Sequence, residues 1–307
     1  MDVLVFLLAV MIGFLVGILV NGLADALPYY RQPRLPFYPP DGERRPPLAW
    51  SGLLAFLTGQ RESAQPAPPP DMVTDLEAHP PTREPLPVEV ENADERAELP
   101  SPPRPRRLSW RHPIVEIVMA MAFGFLVLNW PGHERIPVWM LYISILALIT
   151  IIDLEHFLIL VPVIVPACLI AIFLAFVFPE ADRETSDYLI GGAIGLVFFL
   201  IMFWGGGIFS GFVAAARGEA LEEVAFGFGD VMLATLCGLM IGWQAFIFAM
   251  LITVFAGAAG AIIYLIGRMF SHNSYDLFTP LPYGPYIVLG TIIMMLWRDD
   301  IRQLLGG

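Results

Sequence analysis

The sequence predicts an all-α, polytopic membrane protein: a bundle of about eight transmembrane helices interrupted by one Pro-rich loop. Three observations predict it. Of 307 residues, 57% are hydrophobic and only 15% charged, with a mean hydropathy of +0.67, well outside the composition of soluble domains. Apolar runs near 20 residues recur, the length a helix needs to cross hydrocarbon. The strict alternation of a membrane barrel is absent. The partner this composition implies is the lipid bilayer. A net charge of −12, with all 17 basic residues arginine, argues against nucleic acid. Cys168 and Cys237 lie in apolar runs and suggest neither a disulfide framework nor a metal site.

Taken in order, residues 3–27 are apolar with a short polar end. No basic segment precedes them, and Leu27-Pro28 is no small-residue cleavage site, so a retained helix is expected within a first unit, 1–28. Asn21 and Asp25 share a face of it, four positions apart, and an interhelical hydrogen bond is the ordinary use of such an Asn. Residues 29–112 differ. Twenty of the 28 prolines fall between 28 and 113, and runs such as Pro66-Ala67-Pro68-Pro69-Pro70 favour extended, solvated backbone. A disordered or loosely ordered loop is expected there. The remainder, 113–307, is nearly continuous membrane. Pro113 suits the first turn of a helix, followed by Glu116. The spans read roughly 113–130, 136–152, 157–178, 187–206, 231–242, 244–268 and 283–298. The span 231–242 is too short to cross unaided, and Gly238 and Gly242 suggest close packing or a bend.

Arginine placement orients the bundle. Arg31, Arg34, Arg44, Arg45, Arg104, Arg106, Arg107 and Arg111 flank the long loop. With eight spans, Arg217 and Arg268 share their side, and Arg135, Arg183, Arg298 and Arg302 fall opposite. The long loop is then cytoplasmic and both termini are external. Asp153 and Asp230 come to the cytoplasmic side.

Those two carboxylates carry the chemistry. Ile151-Ile152-Asp153-Leu154-Glu155-His156 closes one span. Phe226-Gly227-Phe228-Gly229-Asp230 opens another, its glycines letting the chain turn and a second group approach. Each aspartate also suits a plain helix end, and Asp230 a helix N-cap. If they meet, however, two carboxylates in one partly dehydrated site share a proton. One then activates water and the other protonates a leaving amine.

Gly227-Phe228-Gly229-Asp230-Val231-Met232-Leu233-Ala234, followed by Gly238 and Gly242-Trp243, resembles the GxGD segment of the prepilin peptidases, the type 4 leader peptidases. Leu148–His156 is similar to that family's first catalytic-aspartate segment. His112-Pro113-Ile114-Val115-Glu116 resembles its Pro-x-x-Glu helix start. Tyr283-Gly284-Pro285-Tyr286 resembles its C-terminal Phe-Gly-Pro-Phe, and Gly17–Asn21 with Leu27-Pro28 its N-terminal segment. The resemblance covers everything but 29–111. It implies an aspartic endopeptidase of the bacterial inner membrane that removes the basic leader from prepilins or pseudopilins on the cytoplasmic side, serving a type IV pilus or type II secretion. It makes Asp153 and Asp230 catalytic and Gly227 and Gly229 supporting. Glu116 is either a partner for a new N-terminal amine or a carboxylate on the helix macrodipole. Glu219, Glu222 and Glu223, just before the GxGD segment, are placed to attract a basic leader; a merely solvated acidic loop is the plainer alternative.

The chain departs from the family in two places. Its first-aspartate segment continues as Leu158-Ile159-Leu160-Val161-Pro162, without the family's Leu-Pro-Asp. Many members carry two CxxC pairs, with zinc-site spacing, in the first cytoplasmic loop; residues 29–111 here contain no Cys. The resemblance also implies methylation of the new N-terminus in many members, an activity the missing Cys pairs put in doubt here; proteolysis requires no cofactor, and S-adenosylmethionine enters only if methyl transfer is retained. Two other function classes stand beside the peptidase: an ion or proton pathway through Asp153 and Asp230, and a non-catalytic scaffold for pilus or secretion assembly. No feature sets the oligomeric state.

Overall fold

The computed structural model describes residues 3–29, 36–38, 44–66, 105–217, 227–270 and 282–304. The fold is all-helical in architecture. Helix α1 spans Val3–Ala26 and α2 Gly52–Leu57; α3 spans Arg111–Asn129, α4 Ile136–His156 and α5 Val161–Val177. Then come α6, Thr185–Arg217, α7, Phe228–Phe270, α8, Gly284–Leu296, and α9, Arg298–Leu304. One small antiparallel ladder, β1 (Glu62–Pro66) with β2 (Pro105–Arg107), pairs Glu62 with Arg107.

The outside of the bundle is apolar. Leu4, Phe255 and Ile263 are each at least 70% exposed, which suits lipid and not water. Among the described residues five helices are long and apolar enough to cross a membrane, fewer than the eight spans expected. The shorter apolar helices Val161–Val177 and Gly284–Leu296 fall on two more expected spans. The last arises because α7 contains two of them. Gly242, at φ 72° and ψ 164°, breaks its helical path, where the short span was expected to end.

That break reverses the chain. Asp230 and Gly257 are 27 positions apart, about 40 Å along a straight helix. Tyr283 nevertheless lies beside both, its phenol within the field of Asp230 and its ring against Gly257. The two arms of α7 must therefore run antiparallel. The corner is held from outside: Arg183 donates to the Ile241 carbonyl and the Trp243 indole N–H to Asp187 at 3.0 Å. These bonds satisfy polar groups at a place where the helix ladder cannot.

Small residues set the helix spacing. Gly191 of α6 and Gly238 of α7 touch backbone to backbone, and Gly195 faces the Ala234 carbonyl. Without hydrophobic driving force between helices in lipid, such close approach supplies the packing energy. Buried Ala9, Gly13 and Gly17, spaced four apart on α1, bring that helix onto Met119 and Glu116 of α3 in the same way.

Parts of the segment read as a loose loop are ordered. Residues 44–66 contribute a 3-10 turn, α2 and β1, and Ser51 caps α2 by accepting from the Leu54 amide at 3.2 Å.

Candidate active site

Asp153 lies in the last turn of α4. The helix ends four residues later at Phe157, a non-glycine in the left-handed region (φ 53°) whose amide bonds back to the Asp153 carbonyl at 2.9 Å. This sharp stop sends Ile159 back across the bundle. Asp153 is buried and its carboxylate rests on Gly284, at the start of α8, where a Cβ would collide with Oδ2. Among the described residues Oδ2 accepts no hydrogen bond.

Asp230 sits in the first turn of α7. Its Oδ2 accepts from the Gly227 amide at 3.3 Å, and its own amide donates to the Gly227 carbonyl at 3.1 Å. The side chain is thus drawn back over the GxGD turn, as an aspartate at a helix start is expected to be. The two glycines differ in role. A Cβ on Gly229 would stand 2.8 Å from Cβ of Ile159, whereas one on Gly227 would meet nothing closer than 3.8 Å. Gly229 lets the GxGD turn seat on the segment that leaves Asp153.

The two aspartates come together. The Asp153 carboxylate feels the charge of Asp230 across this end of the bundle, and Tyr283 stands beside Asp230. Both aspartates thus lie at this end of the bundle, next to Tyr283-Gly284. Their places at the edges of apolar runs, and then the resemblance, drew attention to these two residues; no periodicity says that they come near each other.

Glu116 is elsewhere. Its Oε1 accepts from the Gly52 amide at 2.6 Å, and its Oε2 from the Ser51 hydroxyl at 2.7 Å and the Leu53 amide at 3.0 Å. It holds the start of α2 against α3 and has no direct part in the aspartate pair. Glu219, Glu222 and Glu223 lie outside the described residues.

A second polar cluster borders the pair, and sequence reading missed it. Asp25 of α1 binds Arg45 at 2.8 Å, Arg111 and His112 at 3.1 Å. Arg111 also binds Glu155, two residues beyond Asp153, at 2.5 Å. Burial draws the Arg45 guanidinium below its ordinary pKa, with the Asp25 charge opposing the shift. Asn21 donates to the His112 carbonyl at 2.9 Å, the interhelical use expected of it. The cluster ties α1, the 44–66 segment, α3 and α4 together beside the aspartates. The available signal was a buried-helix aspartate followed by several arginines, which does not say which arginine returns.

Residues 140–262, which contain both aspartates, match the model of the type IV leader peptidase family. The match covers that part of the chain and shows what it is similar to. Curated proteins are similar over about three-fifths of this chain. The prepilin leader peptidase/N-methyltransferase of Aeromonas salmonicida is 26% identical over 64% of this chain and 61% of its own length. That of Pectobacterium carotovorum is 27% identical over 62% and 61%, and that of Bacillus subtilis 26% over 64% and 69%. The chain thus spans about three-fifths of the length of the first of these relatives. No solved structure matches it.

Proposed function

We propose that this protein is an aspartic endopeptidase that cleaves the leader from type IV prepilins or pseudopilins. The observation that carries the reading is the convergence of Asp153 and Asp230, backed by the Tyr283-Gly284 wall. Two carboxylates in one partly dehydrated site hold one proton between them, and their titration belongs to the pair. The ionised member takes a proton from water as that water attacks the scissile carbonyl; the protonated member gives its proton to the departing amine. Both aspartates lie at one end of the bundle, which supports hydrolysis at a membrane edge over an ion pathway through the middle. The arginine bias supports a cytoplasmic location for that end, in a bacterial inner membrane. The Cys-free 29–111 segment supports cleavage without methyl transfer from S-adenosylmethionine.

The test is incubation of the purified protein with a candidate prepilin, read by mass spectrometry. Leader loss without a methyl mass shift is expected. Asp153→Asn and Asp230→Asn should each reduce cleavage by at least about a thousandfold, on the scale of losing one member of a unit that acts together, while still inserting in the membrane. Retained cleavage by either folded variant removes the dyad, and a robust methyl shift removes the second half of the proposal.

A further inference from the structure

Between Arg45 and Arg61 the chain carries no charged residue. An uncharged run of that length is short for a crossing and suits a re-entrant or interfacial segment. The structure fixes its depth. Helix α3 has 19 residues and is about 28 Å long, barely one hydrocarbon thickness, so its first two turns lie inside the leaflet. The segment packs along those turns. At its inner end Gly52 lies against His112 and Pro113, and the Gly52 and Leu53 amides donate to Glu116. Glu116 is five positions beyond Arg111, about 7.5 Å deeper along α3. At the outer end the Phe56 ring meets Trp110 at 4.6 Å, and the Arg61 guanidinium lies over both rings. Helix α2 thus runs antiparallel to the start of α3. Arg111 also binds Glu155, which sets this level with the aspartate end of α4.

We propose that residues 46–59 form a re-entrant segment in the leaflet on the aspartate side, held at depth by Glu116 and covered on its outer face by acyl chains. Two features besides depth argue for this occupant. The outer face is apolar and continuous with the lipid-facing surface of α3: Leu48, Leu54 and Leu57 are 54%, 41% and 74% exposed, and so is Ile114 of α3 at 54%. The backbone is satisfied from within the protein. The amides of 49, 50, 55 and 58 donate to the carbonyls of Pro46, Pro47, Ser51 and Leu54. Those of 52, 53 and 54, in the first turn of α2, would be left to water in an ordinary helix. Here they donate to Glu116 and to the Ser51 hydroxyl. Pro46 and Pro47 have no N–H to satisfy. Non-helical backbone is tolerated at membrane depth only when it is paired in this way. Arg44 and Arg61 flank the segment, and their stems let the charges reach the headgroups. The inference is independent of the peptidase reading and draws part of the segment expected in the aqueous phase into the membrane.

Spin labels on the full-length protein in phosphatidylethanolamine and phosphatidylglycerol vesicles test it. A nitroxide is attached to a single cysteine replacing Leu54, Leu57, Ile117 or Glu62, in a chain carrying Cys168→Ser and Cys237→Ala. Collisions with oxygen, which enters hydrocarbon, are compared with collisions with a water-soluble nickel chelate. Ile117, exposed on α3, is the lipid reference, and Glu62, on the ladder beyond Arg61, the aqueous one. The oxygen-to-nickel ratio at Leu54 and Leu57 should lie within about threefold of that at Ile117 and at least about tenfold above that at Glu62, because hydrocarbon excludes the polar chelate. A ratio at Leu57 nearer to that of Glu62 overturns the insertion. Adding Glu116→Ala should bring the Leu57 ratio down to that of Glu62 and leave Ile117 unchanged. An unmoved Leu57 label in that variant overturns the holding role of Glu116. The labels with Glu116 intact decide the insertion whether or not Glu116→Ala folds.

Discussion

At the scale of single residues, the two glycines of the GxGD turn look equivalent in sequence and are not equivalent in space. Gly229 is pressed on Ile159, and Gly227 has room. Gly229→Ala must push the turn away from the segment that follows Asp153, and a displacement near 1 Å can cost about a hundredfold in rate. Cleavage should fall at least about tenfold in Gly229→Ala and less than about threefold in Gly227→Ala. Adding Ile159→Ala to Gly229→Ala should recover part of the loss, because it removes the colliding side chain. Equal effects of the two glycine replacements in a kinetic assay would contradict this account. Gly284 obeys the same logic from the other side, since its missing Cβ is the space that the Asp153 carboxylate uses.

At the scale of elements, the corner in α7 is the feature on which the site depends. By reversing the helix it brings its second arm back beside Tyr283, and so builds the wall of the site. Gly242 makes the reversal in a backbone region that is essentially restricted to glycine, with φ 72° and ψ 164°. Any side chain there is strained by about 1–3 kcal/mol. Gly242→Ala is therefore expected to lower the unfolding free energy by that amount in detergent, measured by denaturant titration, whereas Gly205→Ala, in open space on α6, should not lower it and should raise it by up to about 1 kcal/mol. Equal stability of the two variants would mean that the corner relaxes into a conformation open to alanine. Glu116 works at this scale too. By capping α2 with both oxygens it turns part of a proline-rich connection into an ordered piece against α3.

At the scale of the whole molecule, polar groups gather at the two ends of the bundle. Arg135 and Asp153 bracket α4, 18 positions apart and so about 27 Å along the axis, close to one hydrocarbon thickness. The end away from the aspartates is an ion-pair knot. Glu180 binds Arg183 and Arg298 at 3.1 Å each, Arg135 lies at 3.6 Å, and Arg298 reaches Asp182 at 2.7 Å. Trp130, Trp139 and Trp297 pack beside it with centroids 5.5–5.9 Å apart, in keeping with an interfacial aromatic belt. Burial raises the Asp182 carboxyl, but the hydrogen bond and charge of Arg298, with the charge of Arg183, outweigh it and hold the group below its ordinary value of 3.8. A carboxyl depressed in the folded state stabilises above its unfolded pKa, and that contribution is lost as pH falls through the folded value. Stability in detergent should therefore decline below about pH 4, and Asp182→Asn should flatten part of that decline without altering the plateau slope near pH 7. An acid limb of unchanged depth in Asp182→Asn would assign the decline to other carboxylates.

The sequence by itself determined the helical membrane architecture, because the length and apolarity of a span are local properties that hydrocarbon enforces along the chain. It also marked Asp153 and Asp230, since a carboxylate at the edge of an apolar run is costly and conspicuous, and it located the break at Gly242 through the shortness of its span. The tertiary structure decided what those residues meet. Whether two aspartates 77 positions apart share a site depends on how α4, α7 and α8 pack, and no periodicity records that. The same holds for Glu116, whose partners come from 51–53, and for Asp25, whose arginines return from 45 and 111. A side chain's type is written in the sequence, but its partner is chosen by close approach in space. Here that approach is set by small residues at helix contacts and by one glycine corner.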